Sequence, residues 1–283
     1  MPPQTEKLRT KASRRESLAP ATSPRYIAPA VEKGLDVLEL LAGSAGAMSQ
    51  RQIADWLGRS VPEVYRVLAS LERRGYIARG PEETYRLTMK LHELAVVYPP
   101  TSRLADVASP VLRRLAIDAG QAFHVSVLDG TEIQVVLQVD SPAPLGFRVR
   151  LGGRNAIAHS ASGRVLLAFQ SEKTREWVMA QMTEPPQGSE GRRKLVDRVM
   201  SVRGAGYEFV AEESLRGLID ISFPIVDTNG IALAALTMPF VTLQTPALPL
   251  QDAAQMAFNA AREISVGLGG IPPTPGFPLL EIP

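Results

Sequence analysis

The sequence predicts a two-domain α+β fold: a small helical domain closing on a hairpin, a linker helix, and a larger mixed sheet domain. Three observations predict it. Two capped helices are joined by only three residues, Gly58-Arg59-Ser60. A Pro99-Pro100 pair punctuates the chain after them. Beyond that pair, period-two segments alternate with helical ones, as when strands and helices share one core. The chain has 283 residues, long enough to bury two cores.

The expected organisation is a basic disordered arm over 1–25, a helical and hairpin domain over 26–86, and a linker helix with its connection over 87–103. A sheet domain follows over 104–270, then a proline-rich tail over 271–283. The arm carries a net charge of +4, residues 26–90 carry +1, and the remainder carries −3. A basic arm ahead of a folded domain suggests a polyanion partner, although a solvated tail has the same composition. Cysteine is absent, which excludes disulfides, thiolate zinc sites and a cysteine nucleophile and agrees with a cytoplasmic protein; a DNA partner would make it nucleoid-associated. No apolar run reaches membrane-spanning length, so no membrane partner is expected.

The first helix is expected over Pro29 to Leu41, with Val31, Leu35, Leu38 and Leu41 on one face. The second starts at Ser49, where Ser49 and Gln52 make a capping box; Ile53, Trp56 and Leu57 supply its apolar face, and Gly58 closes it. The third starts at Ser60, with a second box from Ser60 and Glu63, and Val64, Val67, Leu68 and Leu71 inward. "YIARGPEETYRL" then reads as strand, polar turn and strand. Together these make a winged helix-turn-helix.

That arrangement leaves Pro62, Glu63, Tyr65, Arg66, Ser70 and Arg73 on the outer face of the third helix. A helix of this kind fits the major groove of double-stranded DNA, with its N-terminal side chains at base edges. Arg51, Gln52 and Ser60 flank the turn, and Arg79 and Arg86 on the wing are placed for phosphates. The bland alternative is an ordinary charged surface helix, or one that docks a protein.

In the larger domain, "FHVSVLDGTEIQVVLQVD" alternates about an Asp129-Gly130 turn, and "DISFPIVDTNGIALAALTM" about Asn229-Gly230. "GFRVRL" alternates as well, with Phe147 among its apolar positions, and is expected as a strand. Helices are expected at about 160–169, 171–182, 192–204 and 250–268. His159, Ser160, Ala161, Ser162 and Gly163 stand before and at the start of a helix, whose free N–H groups suit a small carboxylate or a simple N-cap. Asp220 and Ser222 share a strand face, Thr237 follows on the next strand, and His124 and Ser126 share another. Asp220 is expected to bind an effector hydroxyl or amine, or to pair with an arginine such as Arg148. A lone histidine such as His124 is more often a satisfied structural residue than a ligand contact.

The segments "MSQRQIADWLG" and "GRSVPEVYRVLASLERRGYIAR" resemble the helix-turn-helix of the IclR family of bacterial transcriptional regulators. Downstream, "PVLRRLAIDAGQAFHVSVLDGTEIQVVLQVDSP", "GGRNAIAHSASGRVLLAF", "RGAGYEFVAEES" and "DTNGIALAALTM" are similar to that family's effector domain, so the resemblance covers about 27–268. It implies a GAF-like domain with a ligand pocket on one side of the sheet, a homodimer or homotetramer, and a palindromic or pseudo-palindromic operator. It also implies a catabolic operon answering to a small organic acid, an aromatic or a sugar-derived metabolite. Departures from the family pattern matter. Ser60-Val61-Pro62-Glu63 stands where Pro-Lys-Ser-Thr is common, and Asp220 where a Cys lines the pocket. Val210-Ala211 replaces an acidic pair, Thr237 matches a Ser, and Pro239 replaces a second Ser.

No G-x-S-x-G elbow surrounds Ser160 or Ser162, no P-loop or G-x-G-x-x-G occurs, and His92, His124 and His159 lack zinc spacing. Neither catalysis, nor a metal, nor a cofactor is expected. The rival reading is a metabolite-binding or hydrolytic domain with a protein-docking helical module.

Overall fold

The computed structural model describes residues 28–97, 99–144, 146–213, 215–241 and 248–272. The expected basic arm and nearly all of the proline-rich tail lie outside them. The chain divides into two compact units, Met1–Thr88 and Met89–Pro283.

The first unit contains α1 (Pro29–Gly43), β1 (Met48–Ser49), α2 (Gln50–Leu57), α3 (Val61–Arg73), β2 (Ile77–Arg79) and β3 (Thr84–Leu87). The three strands form an antiparallel sheet in the order β1-β3-β2, with Ala78 opposite Arg86. Its core is Val37, Leu40, Leu41, Ile53, Ala54, Val64, Leu68, Ile77 and Tyr85. Two helix faces differ from expectation. On α1, Val31 and Leu35 are exposed while Val37, Leu40 and Leu41 turn inward. On α2, Trp56 is 70% exposed and Ala54 takes the inward place. In both helices the i, i+3, i+4 spacing admits two neighbouring stripes, and packing selects the one that reaches α3.

Local chemistry fixes the helix ends. The Ser49 hydroxyl accepts from the Gln52 amide, and the Gln52 side chain accepts from the Ser49 amide at 2.8 Å. Gly58 closes α2 at φ 62°, the left-handed conformation in which a glycine cap costs least. The Glu63 carboxylate accepts from the Ser60 hydroxyl at 3.0 Å.

The second unit opens with α4 (Lys90–Val97) and α5 (Pro99–Ala119). The Pro99-Pro100 pair does not begin an irregular linker: it opens α5, because proline in the first turn forfeits no helical hydrogen bond. A six-stranded sheet follows in the order β6-β5-β4-β9-β8-β7. Its strands are β4 (Phe123–Asp129), β5 (Glu132–Val139), β6 (Arg154–Ala156), β7 (Glu208–Ala211), β8 (Leu218–Val226) and β9 (Ala232–Val241). The remaining helices are α6 (Ala161–Ala168), α7 (Glu172–Gln181), α8 (Glu190–Ala205) and α9 (Leu250–Gly267). "GFRVRL" is not a strand: it joins no ladder, Phe147 is half-buried, and backbone bonding to β5 begins after it, at Gly152.

The sheet has two unlike faces. Phe123, Val125, Ile221, Phe223, Leu236, Met238 and Phe240 pack against α5 and α9. Ile133, Val135, Val226, Ala232 and Ala235 pack with α6, α7 and α8. Alternation along β4, β8 and β9 therefore sends every second side chain under α6. In the first unit, Leu68 is fully buried. Leu68→Ala is expected to cost that unit about 2–5 kcal/mol, read as an earlier first transition in urea denaturation.

Candidate effector seat and nucleic-acid interface

The strand register aligns four polar side chains across the sheet. His124 on β4 opposes Thr237 on β9, Thr237 opposes Ser222 on β8, and Ser222 opposes Glu208 on β7. All four are buried, in a face otherwise apolar. The Ser222 and Thr237 hydroxyls bond at 2.9 Å. Ser126 lies two residues along β4, opposite Ala235, and Asp220 two residues along β8, opposite Pro239. The helix α6 packs over this row, touching β4, β7, β8 and β9.

Two groups of the row lack partners. His124 Nδ1 and Ser126 Oγ are buried with no hydrogen bond. Leaving such a group unpaired costs about 1–3 kcal/mol each, and here two of them stand on the same face of β4. Burial drives the His124 pKa down to about 4, which keeps the ring neutral, with one donor and one acceptor nitrogen.

Charge enters the row from α6. Arg164 is 5% exposed. Its Nε donates to Glu208 at 2.8 Å, Nη2 to Glu213 at 2.6 Å, and Nη1 to the Ala158 carbonyl at 2.7 Å. Burial works against its charge, but hydrogen bonds and attraction from Glu213 and Glu208 outweigh it and hold its pKa above the ordinary value. Arg198 reaches Glu208 from α8 and donates to the Phe209 carbonyl at 2.7 Å. Val210-Ala211 thus does not leave the site short of acid, since Glu208 and Glu213 supply two carboxylates on either side. Sequence reasoning missed Arg164, Arg198, Glu208 and Glu213. The available signal was an arginine inside "ASGRVLLAF", an otherwise apolar helix in which a charge must find a buried acid.

The other expected residues fall as follows. Ser160 caps α6, its hydroxyl accepting from the Gly163 amide at 3.1 Å. Ala161, Ser162 and Gly163 are buried in the first turn, and His159 is exposed beside them. At Gly163 a Cβ would stand 2.6 Å from the Ile157 carbonyl oxygen, so only glycine allows this approach. Asp220 is half-buried and does not pair with Arg148, which lies 3.6 Å from Asp140. Burial, aided by the negative charge of Glu213 and opposed by Arg164, pushes Asp220 up to about 6.

On the first unit, Pro62, Tyr65, Arg66, Ser70 and Arg73 are exposed along α3, as are Arg51, Gln52, Ser60 and Arg86. Gln52 is committed to its cap, and Arg79 pairs with Glu83 on the wing. Glu63 is engaged too: Lys33 of α1 donates to it at 2.7 Å, and that bond with the Ser60 contacts lowers its pKa to about 2. Arg59 in the turn meets Asp36 at 2.8 Å, so two ion pairs fasten α1 to the helix-turn-helix.

Asp220 binds its proton more tightly when folded, so its ionisation weakens the fold. Relative to Asp220→Asn, the wild-type chain is expected to lose up to about 3 kcal/mol as pH rises from about 4 to about 6, with no further loss above. His124 has the opposite sign: its lowered pKa means stability falls as pH drops from 6.5 towards about 4. Urea denaturation of Asp220→Asn and of His124→Leu across this range separates the two trends.

The family profile described as "Bacterial transcriptional regulator IclR C-terminal" matches residues 100–266, and "IclR helix-turn-helix domain" matches 30–81. The HTH-type transcriptional regulator KdgR of Escherichia coli (strain K12) is 31% identical over 217 residues, 73% of this chain and 80% of that protein. The HTH-type transcriptional regulator XynR of the same organism is 26% identical over 86% of this chain and 98% of its own length. An IclR homolog from Microbacterium hydrocarbonoxydans, solved with 4-hydroxybenzoate, shares the fold at TM-score 0.67 and 23% identity, covering 85% of this chain and 99% of that one. The chain belongs to the IclR family of bacterial transcriptional regulators.

Proposed function

We propose that this regulator controls a catabolic operon, reading a two-fold operator with the outer face of α3 and sensing a small metabolite in the row beneath α6. The observation that carries the sensing half is the pair of unpartnered buried groups, His124 Nδ1 and Ser126 Oγ, beside Ser222, Thr237 and Asp220. Ala161, Ser162 and Gly163 form the roof of this seat, with His159, Ser160 and Phe147 as further candidates for contact.

The DNA half rests on exposure. Tyr65 is 56% exposed on a helix whose opposite face is fully committed to the core, and Arg66 stands beside it. Ser60, Pro62, Tyr65, Arg66 and Ser70 face the bases, while Arg51, Gln52, Arg79 and Arg86 contact the backbone. Glu63 acts by orientation, because Lys33 holds its carboxylate. Val31 and Leu35 on α1, and Leu91 and Leu94 on α4, are exposed apolar side chains. They support assembly into a homodimer or a dimer of dimers, with α4 linking sensing to operator spacing. A ligand shifts that spacing only if it prefers one arrangement.

Fluorescence anisotropy with the promoter region beside the gene tests the reading. Affinity is expected to fall steeply with salt, by about 0.9 in log K per neutralised phosphate for each unit of log salt. Arg66→Ala is expected to weaken operator binding by about 1–3 kcal/mol and to relax base preference at one position. No binding to that DNA at any ionic strength would favour a protein-docking module instead, and unchanged base discrimination in the variant would remove Arg66 from the reading face.

A further inference from the structure

We infer that the operator is read in part through thymine methyl groups, which an exposed apolar stripe on α3 contacts beside Arg66. The inference rests on α3 being the reading helix, and three observations carry it.

The first is the stripe. Val61 is 43% exposed and Tyr65 56%, and Pro62 and Ala69 are exposed as well. Helical periodicity sets these four side by side, outside the face that buries Val64 and Leu68. Single exposed apolar side chains are ordinary on a surface. A continuous stripe of them on the outer face of a capped helix is a contact face.

The second is what the polar groups beside the stripe are doing. Glu63 is the first-turn side chain able to accept from a cytosine amine, and its carboxylate is held by Lys33 at 2.7 Å and by the Ser60 hydroxyl at 3.0 Å. That contact also commits the Ser60 proton. The Ser70 hydroxyl donates to the Arg66 carbonyl at 3.0 Å. The start of α3 therefore offers carbon to a base edge. The thymine methyl is the one apolar group that the major-groove edges of the base pairs carry, and aliphatic or aromatic side chains are what meet it.

The third is charge and length. Arg66 and Arg73 border the stripe on α3, and Arg51 and Arg86 are exposed in the same unit. None of the four has an ion-pair partner among the described residues. Carbon rimmed by uncommitted cations suits a polyanion with methyl groups between its phosphates. From Val61 to Ala69 the helix axis advances about 12 Å, which spans roughly three base-pair steps of about 3.4 Å. Arg66 stands within that span, so a guanine that it reads would lie next to the thymines.

The test is a uracil scan of the promoter region beside the gene, once footprinting has located the bound site. Each thymine is replaced singly by deoxyuridine, which lacks the methyl and keeps the pairing, and the wild-type full chain is titrated by fluorescence anisotropy. About two or three neighbouring replacements in each half-site are expected to weaken binding about fourfold each, the worth of one buried methyl. In Val61→Ser and in Ala69→Ser, both at exposed positions, the penalty at one thymine is expected to vanish while the others stay. Binding that ignores every uracil overturns the inference; if Arg66→Ala still weakens that binding, α3 stands as the reading helix. Penalties that persist unchanged in both variants overturn it too, because the methyls then act through the shape of the duplex alone. No binding to the duplex overturns the reading helix and the inference with it.

Discussion

An arginine with 5% of its surface exposed must be matched by acids, and Arg164 organises the larger domain around that requirement. It draws Glu208 from β7 and Glu213 from the turn after it, and through Glu208 it engages Arg198 of α8. Removing one partner of such a pair leaves a buried charge uncompensated, at a cost of about 3–5 kcal/mol. The pair therefore fixes α6 over the sheet. Once α6 is fixed, His124, Ser126, Ser222 and Thr237 are buried beneath it among apolar neighbours, and only Asp220 stays half-buried.

The smaller domain relies on weaker, more exposed interactions. Its ion pairs Lys33–Glu63 and Arg59–Asp36 have side chains 25–41% exposed. Pairs of this kind contribute about 0–1 kcal/mol each. Their effect is directional: they hold α1 against the start of α3 and leave the outer face of α3 to Tyr65, Arg66 and Ser70. Rigid, capped helices presenting an uncommitted face are what recognition of a duplex requires.

Much of this was legible in the sequence, because local chemistry set it. The Ser49–Gln52 box, the Ser60–Glu63 contact, Gly58 and the turns at Asp129-Gly130 and Asn229-Gly230 all act over a few residues. The failures were tertiary. Which stripe of α1 and α2 faces inward depends on where α3 lies, so Leu35 and Trp56 were misassigned. "GFRVRL" has the period of a strand but finds no neighbour. Pro99-Pro100 fits a break and a helix start equally, and only the continuation decides. His124, Ser126, Ser222 and Thr237 could be named singly, but their alignment needed the strand order β4-β9-β8-β7. The partners of Arg164 lie 44 and 49 residues away.

The central claim is that the row beneath α6 is kept polar for a ligand at the expense of the empty fold. The most direct measurement is the unfolding free energy of the ligand-free double variant His124→Leu, Ser126→Ala against the wild type. Removing two buried unpartnered groups is predicted to raise stability while abolishing the metabolite response in operator binding. A less stable variant that still responds would show instead that these residues serve the fold alone.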